Sequence, residues 1–443
     1  MNASRTPLTP RSTPLVAAIA LAAIALTSAL AAPLSASASP TDSSPFGPGI
    51  MMCPPQISKI GVPISWEMLD GESGSGYGAS ITSGALPDGL SFKQDGGSTP
   101  RIVGTPTTVG SYTFHVHFQN NVGHTGDKTC VADIVPATSI VERINGDDRY
   151  DVAANVAWKI APTTTPLLYV ASGENFADAL SASAIAAQHN APLVLSTSEG
   201  LPNYAHNVAE GFKAANIVVV GGEKSLAQEV IDELKGFDSN PTVTRIGGAD
   251  RFEVSRNLIN HPLFGATAST SIFVASGLKF PDALSASPAA AKATIPVLLV
   301  NGEATTLNTD EKALLTARGV TRATVLGGED TLSAGVAADI KVLTGSVTRI
   351  DGDDRFAVSA NVTAANYTGP VDTVYFATGV NYPDALAGGV LAGITKSPIL
   401  LVRKSCVTAE VAAQVRALAP KHIVLLGGPN SLDANLENLP LCS

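Results

Sequence analysis

Three aspartates occupy equivalent positions in a stretch that the chain repeats three times. Asp178, Asp282 and Asp384 each follow an aromatic residue by two positions and precede Ala-Leu, and they are separated by 104 and 102 residues. A carboxylate at a helix start caps free backbone amides and suits the helix dipole. At the edge of a sheet the same carboxylate could contact a ligand. The pattern favours the cap and leaves ligand contact open.

Three arginines end a second motif, R-I-x-G-x-D-R, which has the same period. They are Arg149, Arg251 and Arg355, and an aspartate precedes each of them. A guanidinium there can bind an anionic ligand or pair with the preceding carboxylate, and both interpretations remain open. A Gly-Gly pair closes an apolar run in each copy, at Gly221, Gly327 and Gly427. No phosphate-binding glycine pattern surrounds these pairs, so they indicate tight turns.

Alternating strands and helices must position these residues. In the first copy the composition predicts strands at Leu167–Gly173, Pro192–Ser196, Ile217–Val220 and Thr242–Ile246. It predicts helices over 176–188, 203–214, 226–235 and 251–259. Such alternation is typical of a parallel sheet with helices on both faces, whose binding loops follow the strand C-termini. We therefore expect Asp178 and Arg149 to be neighbours at one edge of the sheet.

A proline opens the second strand of each copy, where a missing amide donor is tolerated. The prolines are Pro192, Pro296 and Pro398, and three apolar residues follow each of them, including Leu400 and Leu401 in the third copy. These triplets are expected to form core strands. Any part in ligand binding is then indirect, through the shape of the loop that follows.

The N-terminal segment has the features of a secretory signal peptide. Arg5 and Arg11 precede an apolar run, and small residues end in Ala36-Ser37-Ala38, which predicts cleavage of residues 1–38. A retained membrane anchor is the alternative, because the run approaches spanning length. Cleavage removes two arginines from a chain of net charge −10 and leaves −12. This acidity argues against nucleic acid and anionic lipid as partners.

Residues 50–136 differ in composition from the rest and follow a predicted linker at 39–49. Short alternating strands, such as Ser111–Phe118, and turns, such as Pro87-Asp88-Gly89, predict a small all-β sandwich. His115 and His117 share the polar face of one strand, where solvent exposure is favoured over metal binding because no third ligand is indicated. The four cysteines fall into two groups, for which we predict disulfides Cys53–Cys130 and Cys406–Cys442.

The motifs resemble two known families. The run Gly84–Phe92 followed by Ile102–Phe114 resembles immunoglobulin-like modules of bacterial surface proteins, in which the module is usually a spacer or adhesive domain. From about Thr138 to Ser443 the chain closely resembles the cell wall binding type 2 repeats of Gram-positive surface proteins, S-layer proteins and some wall amidases. The resemblance implies three flavodoxin-like or Rossmann-like repeats around a pseudo-threefold axis, at 138–244, 245–348 and 349–443.

That family implies non-covalent attachment to an anionic secondary wall polysaccharide, with the P-I-L-L motif implicated in anchoring. Pro398–Leu401 matches the motif, whereas the first two copies read P-L-V-L and P-V-L-L. The third copy departs from the others, because Ala387-Gly388-Gly389 replaces Ser-Ala-Ser and no strand follows it in the sequence. Its competence to bind a ligand is the least certain of the three.

We expect an exported, monomeric wall-binding protein without a cofactor or metal, in which the candidate polymer-binding residues are the aspartates, arginines, prolines and leucines named above. No catalytic serine or zinc motif occurs, so no enzyme activity is expected. An S-layer or adhesive structural protein, with a protein partner on the sandwich, is the alternative. An accessory role for a wall amidase is less favoured.

Overall fold

The computed structural model describes residues 57–68, 77–94, 100–120, 125–135, 140–161 and 163–442. The predicted signal peptide, the predicted linker and Cys53 lie outside these ranges. Within them, no helix has both the length and the apolar character needed to cross a membrane.

An all-β sandwich forms the first described part. Its strands are β1 (Ile57–Lys59), β2 (Ile64–Glu67), β3 (Tyr77–Gly84), β4 (Leu90–Lys93), β5 (Arg101–Gly104), β6 (Gly110–Asn120) and β7 (Thr125–Val135). One sheet has the order β1-β7-β6-β3 and the other β2-β5-β4. Phe114 and Val116 of β6 are fully buried, whereas His115 between them is exposed. The predicted alternation along this strand is therefore confirmed.

The first α/β repeat follows the predicted order of elements. It contains α1 (Arg149–Ile160), β9 (Leu167–Ser172), α2 (Phe176–Gln188), β10 (Leu193–Ser196), α3 (Asn203–Gly211), β11 (Asn216–Val220), α4 (Gln228–Lys235) and β12 (Thr242–Ile246). The strands pair in the order β10-β9-β11-β12, and every pair is parallel. The predicted bounds of α2 and β12 match those in the structure.

The second and third repeats have the same plan. The second contains α5 (Arg251–Asn260), β13 (Ser271–Ser276), α6 (Pro281–Ala293), β14 (Val297–Val300), α7 (Thr309–Ala317), β15 (Arg322–Leu326), α8 (Ala334–Thr344) and β16 (Val347–Ile350). The third contains α9 (Arg355–Asn366), β17 (Thr373–Thr378), α10 (Pro383–Ile394), β18 (Ile399–Val402), α11 (Ala409–Leu418) and β19 (His422–Leu426). A short 3₁₀ helix at Ala434–Asn438 precedes the C-terminus.

A strand at the start of the first repeat completes the sheet of the third. This strand, β8 (Ile140–Ile144), pairs in parallel with β19, and the sheet order is β18-β17-β19-β8. The third sheet therefore has the same four positions as the other two. The strand that is missing after the third copy in the sequence is supplied from more than 270 residues upstream. This link closes the three repeats into a ring.

Helices α2, α6 and α10 pack against one another at the centre of the ring. Near their N-termini the rings of Phe176, Phe280 and Tyr382 pack edge to face, with centroids 5.4–5.9 Å apart and 61° between each pair of planes. Equal angles between three equivalent residues are the signature of a pseudo-threefold axis. The arrangement implied by the sequence motifs is therefore confirmed.

Close packing at this axis explains the unusual sequence of the third copy. Gly389 is the counterpart of Ser183 and Ser287, and a Cβ built on Gly389 would lie 2.6 Å from the hydroxyl of Ser183. Nonbonded heavy atoms require more than 3 Å, so a third serine does not fit beside the other two. The change from Ser-Ala-Ser to Ala-Gly-Gly is thus explained by helix packing at the axis.

Candidate junction sites

The Gly-Gly turns give each aspartate room to approach. Strands β11, β15 and β19 are each followed directly by a glycine with positive φ, and these are Gly221 at 130°, Gly327 at 88° and Gly427 at 110°. A Cβ on Gly221 would lie 2.7 Å from Oδ2 of Asp178. The corresponding atoms on the other two glycines would collide with Asp282 and Asp384. Glycine is therefore required both by the backbone conformation and by the neighbouring carboxylate.

Each aspartate lies in the first turn of its helix but is not the N-cap. The caps of α2, α6 and α10 are Asn175, Phe280 and Tyr382. The hydroxyls four residues beyond these glycines, which belong to Ser225, Thr331 and Ser431, interact with the carboxylates and lower their pKa values. The prediction that these aspartates cap their helices is wrong, because other residues occupy the N-cap positions, whereas their predicted position in the first turn, where a carboxylate suits the helix dipole, is confirmed.

The aspartates are buried and titrate above their usual range. Their exposed fractions are 4% for Asp178 and 7% for Asp282 and Asp384. Burial raises the pKa of all three, to about 6 for Asp282, against the opposing charge of an arginine. A buried carboxylate of this kind has a fixed position in the fold and can accept hydrogen bonds.

Each arginine begins a helix and is anchored at one nitrogen. The aspartates before them, Asp148, Asp250 and Asp354, cap α1, α5 and α9 by accepting two backbone amides each. Nη1 of Arg149, Arg251 and Arg355 donates to the carbonyl oxygens of Gly173, Gly277 and Gly379 over 2.7, 2.9 and 2.7 Å. The aspartate before each arginine therefore binds the helix amides. Each arginine connects the start of its helix to the loop after the first strand of the repeat.

Aromatic rings at the axis hold two of these guanidiniums. Arg251 lies 5.3 Å from the ring centroid of Phe176, and Arg355 lies 5.7 Å from that of Phe280. Both distances are within the range of cation–π attraction. Because Phe176 belongs to the first repeat and Arg251 to the second, the contact crosses from one repeat to the next.

The charge of an arginine from the neighbouring repeat opposes the rise in the pKa of each aspartate. The arginine that acts on Asp178 is Arg251, the one that acts on Asp282 is Arg355, and the one that acts on Asp384 is Arg149. The charge of Arg149 thus acts on the aspartate of the third repeat, while its Nη1 contacts the loop that precedes Asp178. The sites form at the three junctions between repeats.

Open cavities occupy two of these junctions. Each has a volume of about 570 Å³. The first is lined by Asp178 and Ser225 from one repeat and by Arg251 from the next. The second is lined by Lys279, Asp282, Thr331 and Arg355. Such a volume accommodates a small organic ligand. Each cavity combines carboxylate, hydroxyl and guanidinium groups.

Two further contacts recur in the three repeats, and the sequence analysis assigned no role to the residues that make them. The first arginine of R-I-x-G-x-D-R donates to carbonyls in and after the Gly-Gly turn of the neighbouring repeat. Arg143, for example, donates to Gly427 and Leu432 over 2.9 Å each. Six residues after the second arginine, an asparagine donates its amide to the turn, as in Asn155 to Asn145 over 2.7 Å. Arg245, Arg349, Asn257 and Asn361 make the equivalent bonds. Aligning the three copies over their full length identifies both positions.

Comparison with protein families agrees with this repeated geometry. The family described as cell wall binding domain 2 matches residues 143–231, 245–337 and 349–437, which together make up more than half of the chain. The chain belongs to the cell wall binding domain 2 family. Residues 52–134 match the family described as Putative Ig domain. Three wall-binding repeats behind an immunoglobulin-like domain are therefore the organisation of the chain.

Curated relatives within this family come from Bacillus subtilis. The chain is 26% identical over 302 residues to N-acetylmuramoyl-L-alanine amidase LytC, covering 68% of this chain and 58% of the relative. It is 28% identical over 317 residues to a protein named amidase enhancer, covering 71% and 41%. The chain thus spans about half the length of the curated relatives it matches.

Solved structures from Clostridium difficile have the same fold. The chain superimposes on Cwp6 with a TM-score of 0.63 at 17% identity, covering 88% of this chain and 67% of Cwp6. Cwp8 gives a TM-score of 0.61 at 20% identity, with coverage of 82% and 62%. At these identities the likeness supports the fold.

The proline motif of the wall-binding repeats lies inside the core. Pro192, Pro296 and Pro398 are buried, and Leu400 and Leu401 of β18 have no exposed surface. A polymer on the surface does not reach these side chains. Any contribution they make to binding acts through the loop that follows β18, and that contribution stays a prediction.

The predicted disulfide near the C-terminus is confirmed, because Cys406 and Cys442 are bonded. Cys130 is also disulfide-bonded, and its predicted partner Cys53 lies outside the described residues. In the sandwich, His115 contacts the hydroxyl of Thr129 and His117 contacts Asp127, both over 2.9 Å. No cluster of three metal-ligating side chains occurs among the described residues.

Proposed function

We propose that this cell-wall-binding protein attaches non-covalently to an anionic secondary polysaccharide through the three junctions between its repeats. The observation that carries the proposal is the composition of the junction. Its buried aspartate and hydroxyl come from one repeat, and its arginine comes from the next. A ligand seated there contacts two repeats at once, so binding depends on the closed ring.

The chemistry of the junction favours a ligand that carries both hydroxyls and negative charge. A buried carboxylate such as Asp178 accepts hydrogen bonds from sugar hydroxyls and repels a bare anion. Arg251 is more exposed, and its guanidinium has five N–H donors. Only Nη1 of Arg251 donates to the carbonyl of Gly277. The remaining donors suit a phosphate or carboxylate. An anionic polysaccharide satisfies both halves of the site.

Three weak sites on one rigid ring provide retention by avidity. Once one junction is occupied, the next repeat unit of the polymer is presented at a high effective concentration. Strong single contacts are then unnecessary, which suits a chain with a net charge of −10. Long-range repulsion between chain and polymer is reduced by salt, whereas close pairing inside the cavities is screened less.

The test is sedimentation of the protein with purified cell walls before and after the secondary polymers are stripped. We expect retention on intact walls and its loss on bare peptidoglycan. Changing Arg149, Arg251 and Arg355 together to glutamine should release the protein. The matched control changes the exposed Lys213, Lys341 and Lys396 to glutamine, which alters net charge equally and should leave retention unchanged. Retention of the arginine variant, or binding to bare peptidoglycan, would refute the proposal.

Binding without hydrolysis is the second part of the proposal. The amidase relative extends well beyond the matched region, and the junction residues of this chain suit binding. Incubation with purified walls should therefore release no soluble muropeptides. Under this proposal the protein is exported and is a monomer at the cell surface. Light scattering distinguishes this from an S-layer or adhesive assembly, for which larger species are expected.

A further inference from the structure

The loop after the second strand of the third repeat contains two exposed cations. Arg403 and Lys404 come directly after β18, and the side chain of each is 54% exposed. The equivalent loops of the first and second repeats have Thr197-Ser198 and Asn301-Gly302 at these positions, and each of those loops continues with a glutamate. The basic pair is therefore specific to the third repeat, and the repeat fold does not require it.

Three contacts fix the position of this loop. The backbone amide of Arg403 donates to the carbonyl of Cys406 over 3.1 Å, which closes a turn. Cys406 is disulfide-bonded to Cys442 near the C-terminus. The carbonyl of Lys404 accepts the backbone amide of Asp433 over 2.8 Å. A loop that is already ordered loses little conformational freedom when a ligand binds.

The guanidinium of Arg403 is oriented by an aromatic ring and keeps its hydrogen-bond donors. It lies 5.0 Å from the ring centroid of Phe356, which is within the range of cation–π attraction. Its Nη2 is 4.0 Å from Oδ2 of Asp354, which is longer than a hydrogen bond. Within the part of the chain that the structure describes, this guanidinium donates no hydrogen bond. Its five N–H groups are therefore available to an anionic ligand.

Arg403 adjoins the cavity between the second and third repeats. Asp354 and Arg355 both line this cavity. The carbonyl of Val402, directly before Arg403, accepts the amide of Gly379 over 2.9 Å. The carbonyl of Gly379 in turn accepts Nη1 of Arg355. A continuous set of contacts thus joins the basic loop to the arginine of this junction.

The charge of this cavity favours binding of an anion on the loop beside it. Five acidic and two basic side chains line the cavity, compared with three acidic and two basic side chains at the junction between the first and second repeats. One of the two cations, Lys279, already donates to the carbonyl of Asp330 over 2.6 Å. The excess of carboxylates repels an anionic group inside the cavity, whereas Arg403 at its edge attracts one.

Lys404 extends the loop toward the junction between the third and first repeats. Its ammonium lies 3.5 Å from Oδ1 of Asp433. Asp433 is two residues beyond Ser431, whose hydroxyl interacts with the buried Asp384 of that junction. The basic loop therefore lies between two of the three junctions.

We propose that Arg403 and Lys404 form an anion-binding subsite for a phosphate or carboxylate group of the polysaccharide that occupies the two adjacent junctions. The proposal rests on the proposed function, since it concerns the same polymer. The planar guanidinium of Arg403 binds the anionic group through paired N–H donors, and Lys404 adds a second positive charge. The sugar hydroxyls of the polymer occupy the junction, and its charge is bound on the loop.

Affinity for soluble polysaccharide released from walls tests this subsite. Arg403→Gln should weaken binding about twofold to fivefold at low salt, and Lys404→Gln should have a smaller effect because Asp433 already neutralises part of its charge. The double variant should depend less on salt than the native protein. Arg403→Lys keeps the charge and should recover part of the lost affinity.

The matched control changes Lys396 and Lys421 to glutamine. Both are exposed and precede strands of the third sheet, so they lie at the edge opposite to the basic loop. This control alters net charge equally and should bind like the native protein. An equal loss of affinity in the control would show a general effect of charge and would refute the subsite.

The remaining outcomes separate this subsite from the proposed function. If the double variant binds like the native protein while changing Arg149, Arg251 and Arg355 releases the polymer, the subsite is wrong and the proposed function stands. If the native protein binds no polymer, both fail. The native protein should not be retained on phosphatidylglycerol vesicles, and retention that the double variant loses would assign the loop to a lipid surface and overturn the proposal.

Discussion

A glycine on the pseudo-threefold axis gives the sharpest test of how the repeats are held together. A Cβ built on Gly393 of α10 would lie 2.7 Å from the Cβ atoms of both Ala187 and Ala291. Carbon atoms in contact prefer about 3.5–4.0 Å, so one added carbon requires the other two helices to move outward by roughly 1 Å. Gly393→Val adds three carbons at this point.

We expect Gly393→Val to destabilise the protein by about 3 kcal/mol, since overpacking of a close-packed core costs about 1–3 kcal/mol and valine exceeds the available space on two sides. The better helix propensity of valine offsets only about 0.4 kcal/mol. For a protein of this size the loss corresponds to a fall in unfolding temperature of roughly 3–5 °C. Wall retention should fall as well, because the junctions are built across the displaced helices.

Urea unfolding and wall sedimentation measure these two effects. Gly211→Val is the matched control, since Gly211 ends α3 and a Cβ there meets nothing within 4 Å. The control should unfold like the native protein and remain bound to walls. The reasoning is refuted if Gly393→Val unfolds at the native midpoint, or if the control loses as much stability.

Three further outcomes are expected. Arg143→Met should cost about 1.5–3 kcal/mol in urea unfolding, because the carbonyls of Gly427 and Leu432 lose a charged donor; an unchanged midpoint would contradict this. Replacing Cys406 and Cys442 by serine opens a disulfide between residues 36 apart and should cost about 4 kcal/mol, and melting curves that match the native protein would count against it. Burial raises the pKa of Asp282 to about 6, so the folded state binds more protons than the unfolded state from about pH 4 to 6. Native stability relative to Asp282→Asn should therefore fall by up to about 3 kcal/mol as the pH rises through that window, whereas parallel stability curves would show that this carboxyl titrates normally.

The helices and strands of this chain could be predicted well because the sequence patterns that indicate them lie within each element. The apolar runs, the alanine-rich helices and the turn glycines repeat three times, so each element was supported by two others. The helix over Phe176–Gln188 and the strand over Thr242–Ile246 were found with the predicted bounds. The sequence also indicated which loops gather at one edge of each sheet, because strand ends in a parallel sheet point the same way.

Partners across repeats could not be predicted in this way. The motif spacing indicates that Asp178 and an arginine lie at the same sheet edge, but it does not say which copy supplies the arginine. Arg251 takes that place because consecutive repeats pack side by side around the axis. The aspartate also resembled a helix cap, since the hydroxyl of Ser225, with which it pairs, lies more than 40 residues away.

Ring closure determines how many sites the protein has. Three repeats in an open row make two junctions, whereas a closed ring makes a third between the last repeat and the first. Here the charge of Arg149 acts across that junction on the pKa of Asp384, and β8 joins the same two repeats by pairing with β19. Avidity depends on the number of sites engaged together. If the junctions bind the polymer as proposed, the short strand at the start of the first repeat completes a third binding site, and Arg143→Met should weaken wall retention through the third junction before it affects the other two.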